Sequence, residues 1–279
     1  MLDTFQAIIL GIIQGLTEFI PVSSSAHLIF VPYFLGWPEE GLSFSVALHL
    51  GTLVALLVYF WRDIAELIAG LFQSVRDRNL RGNPNKKIAW LLLLASIPGG
   101  IAGILFDKMI ENMFHSAANV RMGLLIIATL MVVLGALMLF AEHYASHRRK
   151  TEEMHWWDAI VIGLAQAVAI IPGVSRSGGT ITAGLFLGIK REDAARFSFL
   201  MAIPAVGGAG IVEVPKIIAA NMPAQEVQAF AAGFLAAAIV GYLCVKYLLQ
   251  YLRRGTVDVF AYYRFAAAIG IVVLLMITR

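Results

Sequence analysis

Two short polar segments interrupt an otherwise apolar sequence, and the first of them carries groups suited to phosphate chemistry. It holds Glu18, the hydroxyls of Ser23, Ser24 and Ser25, and the imidazole of His27. A serine hydroxyl acts as a nucleophile only beside a base or a metal, and His27 is within reach of Ser24 on a helical turn. We therefore predict Ser24 as the nucleophile and His27 as its base. Metal-activated water stays open as the alternative nucleophile.

The same segment offers one carboxylate for a divalent cation. Glu18 is the predicted ligand, and Gln14 lies one helical turn earlier on the same face. A hard cation, Mg²⁺ or Ca²⁺, held there would bridge two phosphates of a substrate.

The second polar segment is typical of an anion site. It reads Pro172-Gly173-Val174-Ser175-Arg176-Ser177-Gly178-Gly179-Thr180. Glycines leave backbone N–H groups free to face an anion, and the guanidinium of Arg176 presents a planar fork that matches phosphate oxygens. The predicted substrate-binding residues are Gln14, Ser23, Ser175, Ser177, Gly178 and Thr180. Together the two segments indicate phosphoryl transfer, in which positioning and charge neutralisation do most of the work.

Structural explanations of these residues compete with the catalytic ones. A Ser/Gly-rich break lets helices approach closely, and Glu18 and Arg176 together would also make an ion pair. Burying each charge at the membrane centre costs about 2.5–3.5 kcal/mol on insertion scales, which favours a functional reason for both. His49, alone inside an apolar segment, is predicted to be structural.

The elements that position these groups are membrane helices. Hydrophobic residues make up 59% of the 279-residue chain and charged residues 14%, which excludes an ordinary soluble protein. We predict an all-α polytopic fold with six spans, at 44–61, 88–106, 122–140, 197–218, 229–249 and 259–277. Segments 28–37 and 181–189 are too short to span, and each follows a polar break. With 5–22 and 158–174 they predict two re-entrant helical hairpins.

Basic residues set the orientation. They cluster at 76–87, 148–150, 190–196 and 253–264, whereas the loops 107–121 and 219–228 carry only Lys108 and Arg121. The positive-inside bias places the four basic loops in the cytoplasm and both termini outside. The first hairpin then enters from the outer face, where we expect the pocket to open.

An internal repeat relates the two hairpins. Residues Ala7-Ile8-x-x-Gly11-x-x-Gln14 recur 152 positions later as Ala159-Ile160-x-x-Gly163-x-x-Gln166. Because three spans separate the hairpins, the repeats, at about 1–140 and 155–279, have opposite orientation within one membrane domain covering 1–279. Inverted repeats with broken helices place a ligand near the midplane, where the breaks meet.

The two polar motifs resemble those of the undecaprenyl-diphosphate phosphatase family of the bacitracin-resistance type. The resemblance covers the whole chain, including Phe197-Ser198-Phe199-Leu200 and Ile203-Pro204. It implies a hydrolase of the bacterial cytoplasmic membrane that converts C55 isoprenyl diphosphate to the monophosphate carrier used in peptidoglycan synthesis. It assigns function to Glu18, Ser24, His27 and Arg176. Two positions depart from the commonest family pattern: Gln14, where many members have Glu, and Ala26, where many have Gly.

The implied partners are a polyprenyl diphosphate lipid and membrane lipids, without nucleic acid, and a homodimer stays open. A transporter or lipid-carrier flippase is the rival function, since inverted repeats with midplane breaks are typical of transporters. The Glu18, Ser24 and His27 cluster favours chemistry, because a carrier needs no nucleophile. A purely structural scaffold leaves Glu18 and Arg176 unexplained.

Overall fold

The structure, a computed structural model, describes residues 2–38, 41–115, 120–219 and 222–278. Within those ranges the chain forms eleven α-helices, one 3₁₀ turn at Thr151–Glu153 and no named strand. In chain order the helices are α1 Thr4–Thr17, α2 Ser24–Leu35, α3 Leu42–Tyr59, α4 Trp61–Asp77, α5 Pro84–His115, α6 Val120–Tyr144, α7 Trp156–Val168, α8 Arg176–Phe186, α9 Arg191–Ala219, α10 Ala224–Leu252 and α11 Asp258–Ile277. The all-α prediction is confirmed.

Six of the described helices are long and apolar enough to cross a membrane: α3, α5, α6, α9, α10 and α11. They coincide with the six predicted spans, although α5 continues to His115, into what the sequence indicated as a loop. Large apolar side chains such as Ile104 and Ile211 are 87% and 79% exposed, as expected for surfaces that face lipid. The chain is a polytopic membrane protein.

Two pairs of short helices form the hairpins. Helices α1 and α2 have 14 and 12 residues, and α7 and α8 have 13 and 11, too few to cross a bilayer that requires about 20. The breaks fall at 18–23 and 169–175, at the two polar motifs. Gly36 directly follows α2, and Gly188 lies two residues after the end of α8. Both have positive φ (63° and 78°), and they are 152 positions apart.

Helix α4 was missed by the sequence analysis, which treated 62–87 as a connecting loop. Its apolar residues recur at helical spacing, and on its outer side Ile68, Phe72 and Val75 are exposed while Gly70 and Ser74 are buried against α5. Charged residues occupy the other face, and α4 is not among the helices apolar enough to span; an amphipathic helix of this kind is typical of a membrane interface. The basic loop therefore begins with a surface helix.

The two halves are interleaved rather than side by side. Helix α1 of the first half packs mainly on α10 of the second, and α7 of the second half packs mainly on α5 of the first. Glycines permit both approaches: a Cβ at Gly11 would overlap the carbonyl of Gly233, and one at Gly163 would lie 2.6 Å from the carbonyl oxygen of Ala95. Each hairpin is thus held by the opposite half.

Arg264 does not belong to the fourth basic loop. It was predicted to lie there with Arg253 and Arg254, but it lies inside α11 and is fully buried. The loop keeps Arg253 and Arg254, both exposed, so its positive charge persists.

Candidate active site

The first break is built around Ser23. This residue has φ of +78°, a backbone region that side chains other than glycine rarely adopt, and it caps α2 by accepting the N–H of Ala26 on Oγ. The sharp turn reverses the chain between α1 and α2. Ser24, the first residue of α2, consequently faces back toward Glu18 at the end of α1.

The second break repeats this local structure. Ser175, 152 positions after Ser23, has φ of +74° and caps α8 by accepting the N–H of Gly178 at 3.0 Å. The hydroxyls of Ser175 and Ser177 lie 3.3 Å apart, as do those of Ser23 and Ser25. The serine positions therefore align the repeat residue by residue and set Arg176 at the place that Ser24 holds in the first half.

The two breaks contact each other directly. The N–H of Gly173 donates to Ser23 Oγ at 3.1 Å, and Ser177 Oγ donates to the carbonyl of Glu18 at 3.0 Å. The predicted meeting of the motifs is thus present in the fold. It brings the N-termini of α2 and α8 together, and their unpaired N–H groups and helix dipoles favour an anion there.

Glu18 is the centre of the site. Arg176 Nη2 donates to its Oε1 at 2.7 Å, while Ser24 Oγ at 2.6 Å and Gln14 Nε2 at 3.1 Å donate to its Oε2. Glu18 and Gln14 are buried, whereas the Arg176 side chain is 16% exposed. Three predicted residues, Glu18, Ser24 and Arg176, therefore form one cluster. In it the carboxylate of Glu18 can accept the proton of the Ser24 hydroxyl.

The expected hydrogen bond between Ser24 and His27 is not formed. His27 turns back along α2, so that its Nδ1 lies 2.7 Å from the carbonyl of Ser23, and its Nε2 lies 2.7 Å from the hydroxyl of Tyr263. Both ring nitrogens are engaged away from Ser24, whose proton points at Glu18 instead. The direct pairing was wrong because helical spacing gives proximity but not side-chain direction. A catalytic role for His27 stays a prediction.

A family model described as "Bacitracin resistance protein BacA" matches residues 7–270. The chain belongs to the BacA family.

Relatives of this BacA-family chain match it along its full length. An undecaprenyl-diphosphatase of Moorella thermoacetica is 46% identical over 279 residues and covers 100% of both chains. One of Thermomicrobium roseum is 44% identical over 278 residues, 99% of each chain. One of Rubrobacter xylanophilus is 45% identical over 280 residues, covering 99% of this chain and 100% of the relative.

In this BacA-family fold, most polar groups of the second motif hold the two breaks together, a structural role that the sequence did not predict. The N–H groups of Gly173, Gly178 and Gly179 were expected to face an anion, but each donates within the two breaks. Thr180 Oγ1 lies 2.7 Å from the carbonyl oxygen of Arg176 and 2.7 Å from Ser198 Oγ. These contacts use up the donors of Gly178 and Thr180. The guanidinium of Arg176 and the remaining N–H groups in the first turns of α2 and α8 are the donors left for the predicted anion.

His49 is a residue of the site that sequence reasoning assigned only a structural role. Its Nε2 lies 3.6 Å from Glu18 Oε2, and its Nδ1 is 2.8 Å from the carbonyl of Ser45 in the preceding turn of α3. The only signal in the sequence was an ionisable side chain within a span, which by default indicates function.

Arg264 ties both breaks to the bundle. Its guanidinium donates to the carbonyl oxygens of Pro21 in the first break and of Gly173 and Val174 in the second. It also donates to Met131 and Leu130 in α6. A buried cation surrounded by carbonyls satisfies backbone groups that the interrupted helices leave without helical partners. Arg264 is a positioning residue of the site.

Proposed function

We propose that this chain hydrolyses undecaprenyl diphosphate to undecaprenyl phosphate and inorganic phosphate. The observation that carries the proposal is the Ser24–Glu18–Arg176 cluster, which combines a nucleophile, a proton acceptor and a phosphate-binding cation at the meeting of two helix breaks. The full-length relatives named undecaprenyl-diphosphatase support the same substrate.

In the proposed reaction Arg176 exchanges Glu18 Oε1 for oxygens of the terminal phosphoryl group. Ser24 Oγ attacks the terminal phosphorus, its proton passes to Glu18 Oε2, and the bond from that phosphorus to the bridging oxygen breaks to release the lipid monophosphate. Water then attacks the phosphorus of the phosphoserine and the bond from that phosphorus to Ser24 Oγ breaks. Glu18 returns its proton to Ser24 Oγ, and the protons of the water leave with inorganic phosphate. The N-termini of α2 and α8 stabilise the negative charge throughout.

We propose a divalent cation as cofactor, with Glu18 and Gln14 as its protein ligands. The carbonyl oxygen Oε1 of Gln14 is buried beside Glu18, and no hydrogen-bond partner for it exists among the described residues. No group of three His, Cys, Asp or Glu side chains in that part of the chain could hold a metal ion, so substrate phosphates would complete the coordination. When bound, Mg²⁺ or Ca²⁺ supplies neutralisation of diphosphate charge.

The proposed location is the bacterial cytoplasmic membrane, with the site open to the outer face. Four basic loops against two nearly neutral ones support that orientation. Spent diphosphate carrier released there would be recycled for peptidoglycan synthesis, and faster recycling would confer bacitracin resistance.

A lipid-carrier flippase is the second candidate, favoured by the matched geometry of the two breaks at Ser23 and Ser175. Phosphate release separates the two functions. Purified protein should release phosphate from undecaprenyl diphosphate, and EDTA should stop the release. Glu18→Gln should lose nearly all turnover, whereas Glu66→Gln, an exposed carboxylate on α4, should retain it. Lipid translocation without phosphate release would reject the phosphatase.

A further inference from the structure

The last span contributes a hydroxyl to the first helix break. Tyr263 lies in α11, and its hydroxyl oxygen is 2.7 Å from His27 Nε2. The two rings are nearly parallel, with centroids 5.7 Å apart and an angle of 13° between their planes. The neighbouring Arg264 donates to the carbonyl oxygen of Pro21. Helix α11 therefore contacts the chain both before and after Ser23, the residue at which the break turns.

The partners of His27 fix where its ring hydrogens lie. A carbonyl oxygen only accepts, so Nδ1, which is 2.7 Å from the carbonyl oxygen of Ser23, carries a hydrogen. In the neutral ring Nε2 is then the acceptor, and the Tyr263 hydroxyl donates to it. Both nitrogens are occupied, and in this arrangement the neutral ring has no lone pair left for the proton of Ser24.

The second break shows that the turn itself does not require an imidazole. Ser175 has nearly the same φ as Ser23, 74° against 78°. Its carbonyl accepts the backbone N–H of Gly179 at 2.8 Å, and Gly179 occupies the repeat position of His27, 152 residues later. The connection from Tyr263 through an imidazole to the serine carbonyl thus belongs to the break that carries the predicted nucleophile, since glycine leaves the other break without it.

We propose that Tyr263 is a positioning residue of the site. Its hydroxyl holds the His27 ring, and the ring holds the carbonyl of Ser23. That carbonyl belongs to the peptide group that precedes Ser24, so its orientation decides whether the Ser24 hydroxyl faces Glu18. A residue with strained φ keeps its conformation only where its surroundings over-determine it. The part of this inference that concerns turnover rests on the proposed function.

Removal of the hydroxyl alone tests this role. Tyr263→Phe keeps the stacked ring and loses the donor, so kcat for phosphate release should fall about 10-fold, because small displacements of a reacting atom slow a reaction strongly. KM and the unfolding temperature should stay near those of the wild type. Tyr262→Phe is the matched control, since Tyr262 precedes Tyr263 on the same helix and is 60% exposed. Unchanged kcat in Tyr263→Phe, or an equal loss in Tyr262→Phe, would overturn the proposal.

Further variants separate action through His27 from a direct effect on the substrate. His27→Ala removes the group that Tyr263 holds, so adding Tyr263→Phe should lower kcat by no more than about two-fold further. His27→Asn keeps an N–H donor near the place of Nδ1 but cannot take up a proton, and it should retain about 10-fold more turnover than His27→Ala. Additive losses, or equal inactivity of the two His27 variants, would overturn the proposal.

Nitrogen NMR measures the contact independently of activity. In the full chain labelled with ¹⁵N-histidine in nanodiscs, the Nε2 resonance of His27 is assigned by its absence in His27→Asn. It should move in Tyr263→Phe and stay in place in Tyr262→Phe; a resonance that stays in both would overturn the contact. The two proposals fail separately. A wild-type chain that releases no phosphate rejects the phosphatase, whereas full kcat in Tyr263→Phe rejects only the positioning role.

Discussion

Ser24 and Ser25 are neighbouring hydroxyls with different surroundings, and they provide a test at single-atom scale. Ser24 donates to Glu18 Oε2, whereas Ser25 contacts only the hydroxyl of Ser23 among the hydrogen bonds of the described residues. Ser24→Ala should lower phosphate release about 10³-fold or more at saturating metal, and Ser25→Ala should change it only a few-fold. Substantial metal-dependent turnover in Ser24→Ala would identify activated water as the nucleophile.

Arg176 tests whether the pair with Glu18 is catalytic or structural. Its two terminal nitrogens separate, Nη2 toward Glu18 Oε1 at 2.7 Å and Nη1 toward the carbonyl of Ser198 at 3.3 Å. A lysine has one ammonium group and cannot reproduce the fork, so Arg176→Lys should lose most phosphate release while remaining folded. Arg253→Lys, at an exposed ion pair with Glu192, is the control. Near-normal turnover in Arg176→Lys would favour a structural ion pair.

At the residue scale, sequence predicted what the polar motifs contain but not how their side chains point. Glu18, Ser24 and Arg176 were found because a carboxylate, a hydroxyl run and a guanidinium stand out in apolar sequence. His49 was predicted to be only structural because its polar partner, Glu18, is distant in sequence. Arg264 was predicted to lie in a loop because it follows two other basic residues and precedes the apolar part of α11. His27 was paired with the wrong group, since a three-residue spacing does not fix a rotamer.

Among the elements, the two breaks depend on a single buried cation. Arg264 donates to carbonyls of both breaks and of α6, and each hydrogen bond from a charged donor contributes about 1.5–3 kcal/mol. Arg264→Lys, which cannot reach all of them, should lower the free energy of unfolding by about 3 kcal/mol or more. Thermal unfolding in detergent measures this, with the exposed Arg254→Lys as control. Equal stability of both variants would contradict the role assigned to Arg264.

The contact between α1 and α10 depends on small residues. A Cβ on Gly11 would overlap the carbonyl of Gly233 and lie 2.8 Å from Ala236 Cβ, so Gly11→Ala should push the helices apart at a cost of about 1–3 kcal/mol. Gly100→Ala is the matched control, because a Cβ there meets nothing within 4 Å and a helical alanine is favoured over glycine. If the two variants unfold at the same temperature, close approach at Gly11 does not hold the hairpin.

Elements were predictable where hydrophobic runs were long. All six spans and both short hairpins followed from segment length and the polar breaks. Helix α4 did not, because its charged face lowers the mean hydropathy below that of a span, although Trp61, Ile64, Ile68 and Phe72 recur at helical spacing. The partner of each hairpin also could not be read from the chain, since glycines that allow close packing do not specify which helix approaches.

For the whole molecule, the basic loops predict that both termini lie outside the cytoplasm. A C-terminal alkaline phosphatase fusion should be active, and a C-terminal fluorescent fusion that matures only in the cytosol should be dark. The same reporters fused after Arg254, between α10 and α11, should give the opposite result. Activity of the fluorescent reporter at the C-terminus would overturn both the orientation and the inverted arrangement of the halves.

The interleaved packing of α1 on α10 has a consequence for biosynthesis. The first hairpin leaves the ribosome more than 200 residues before Ala224–Leu252, its main packing partner, has been made. At about 5–20 residues per second this delay is on the order of 10–40 s. During that interval the first hairpin, with the carboxylate of Glu18, lies in the membrane without the helix that later encloses it. Insertion factors that shelter polar half-helices should therefore affect the yield of this protein more than that of a bundle assembled from sequential neighbours.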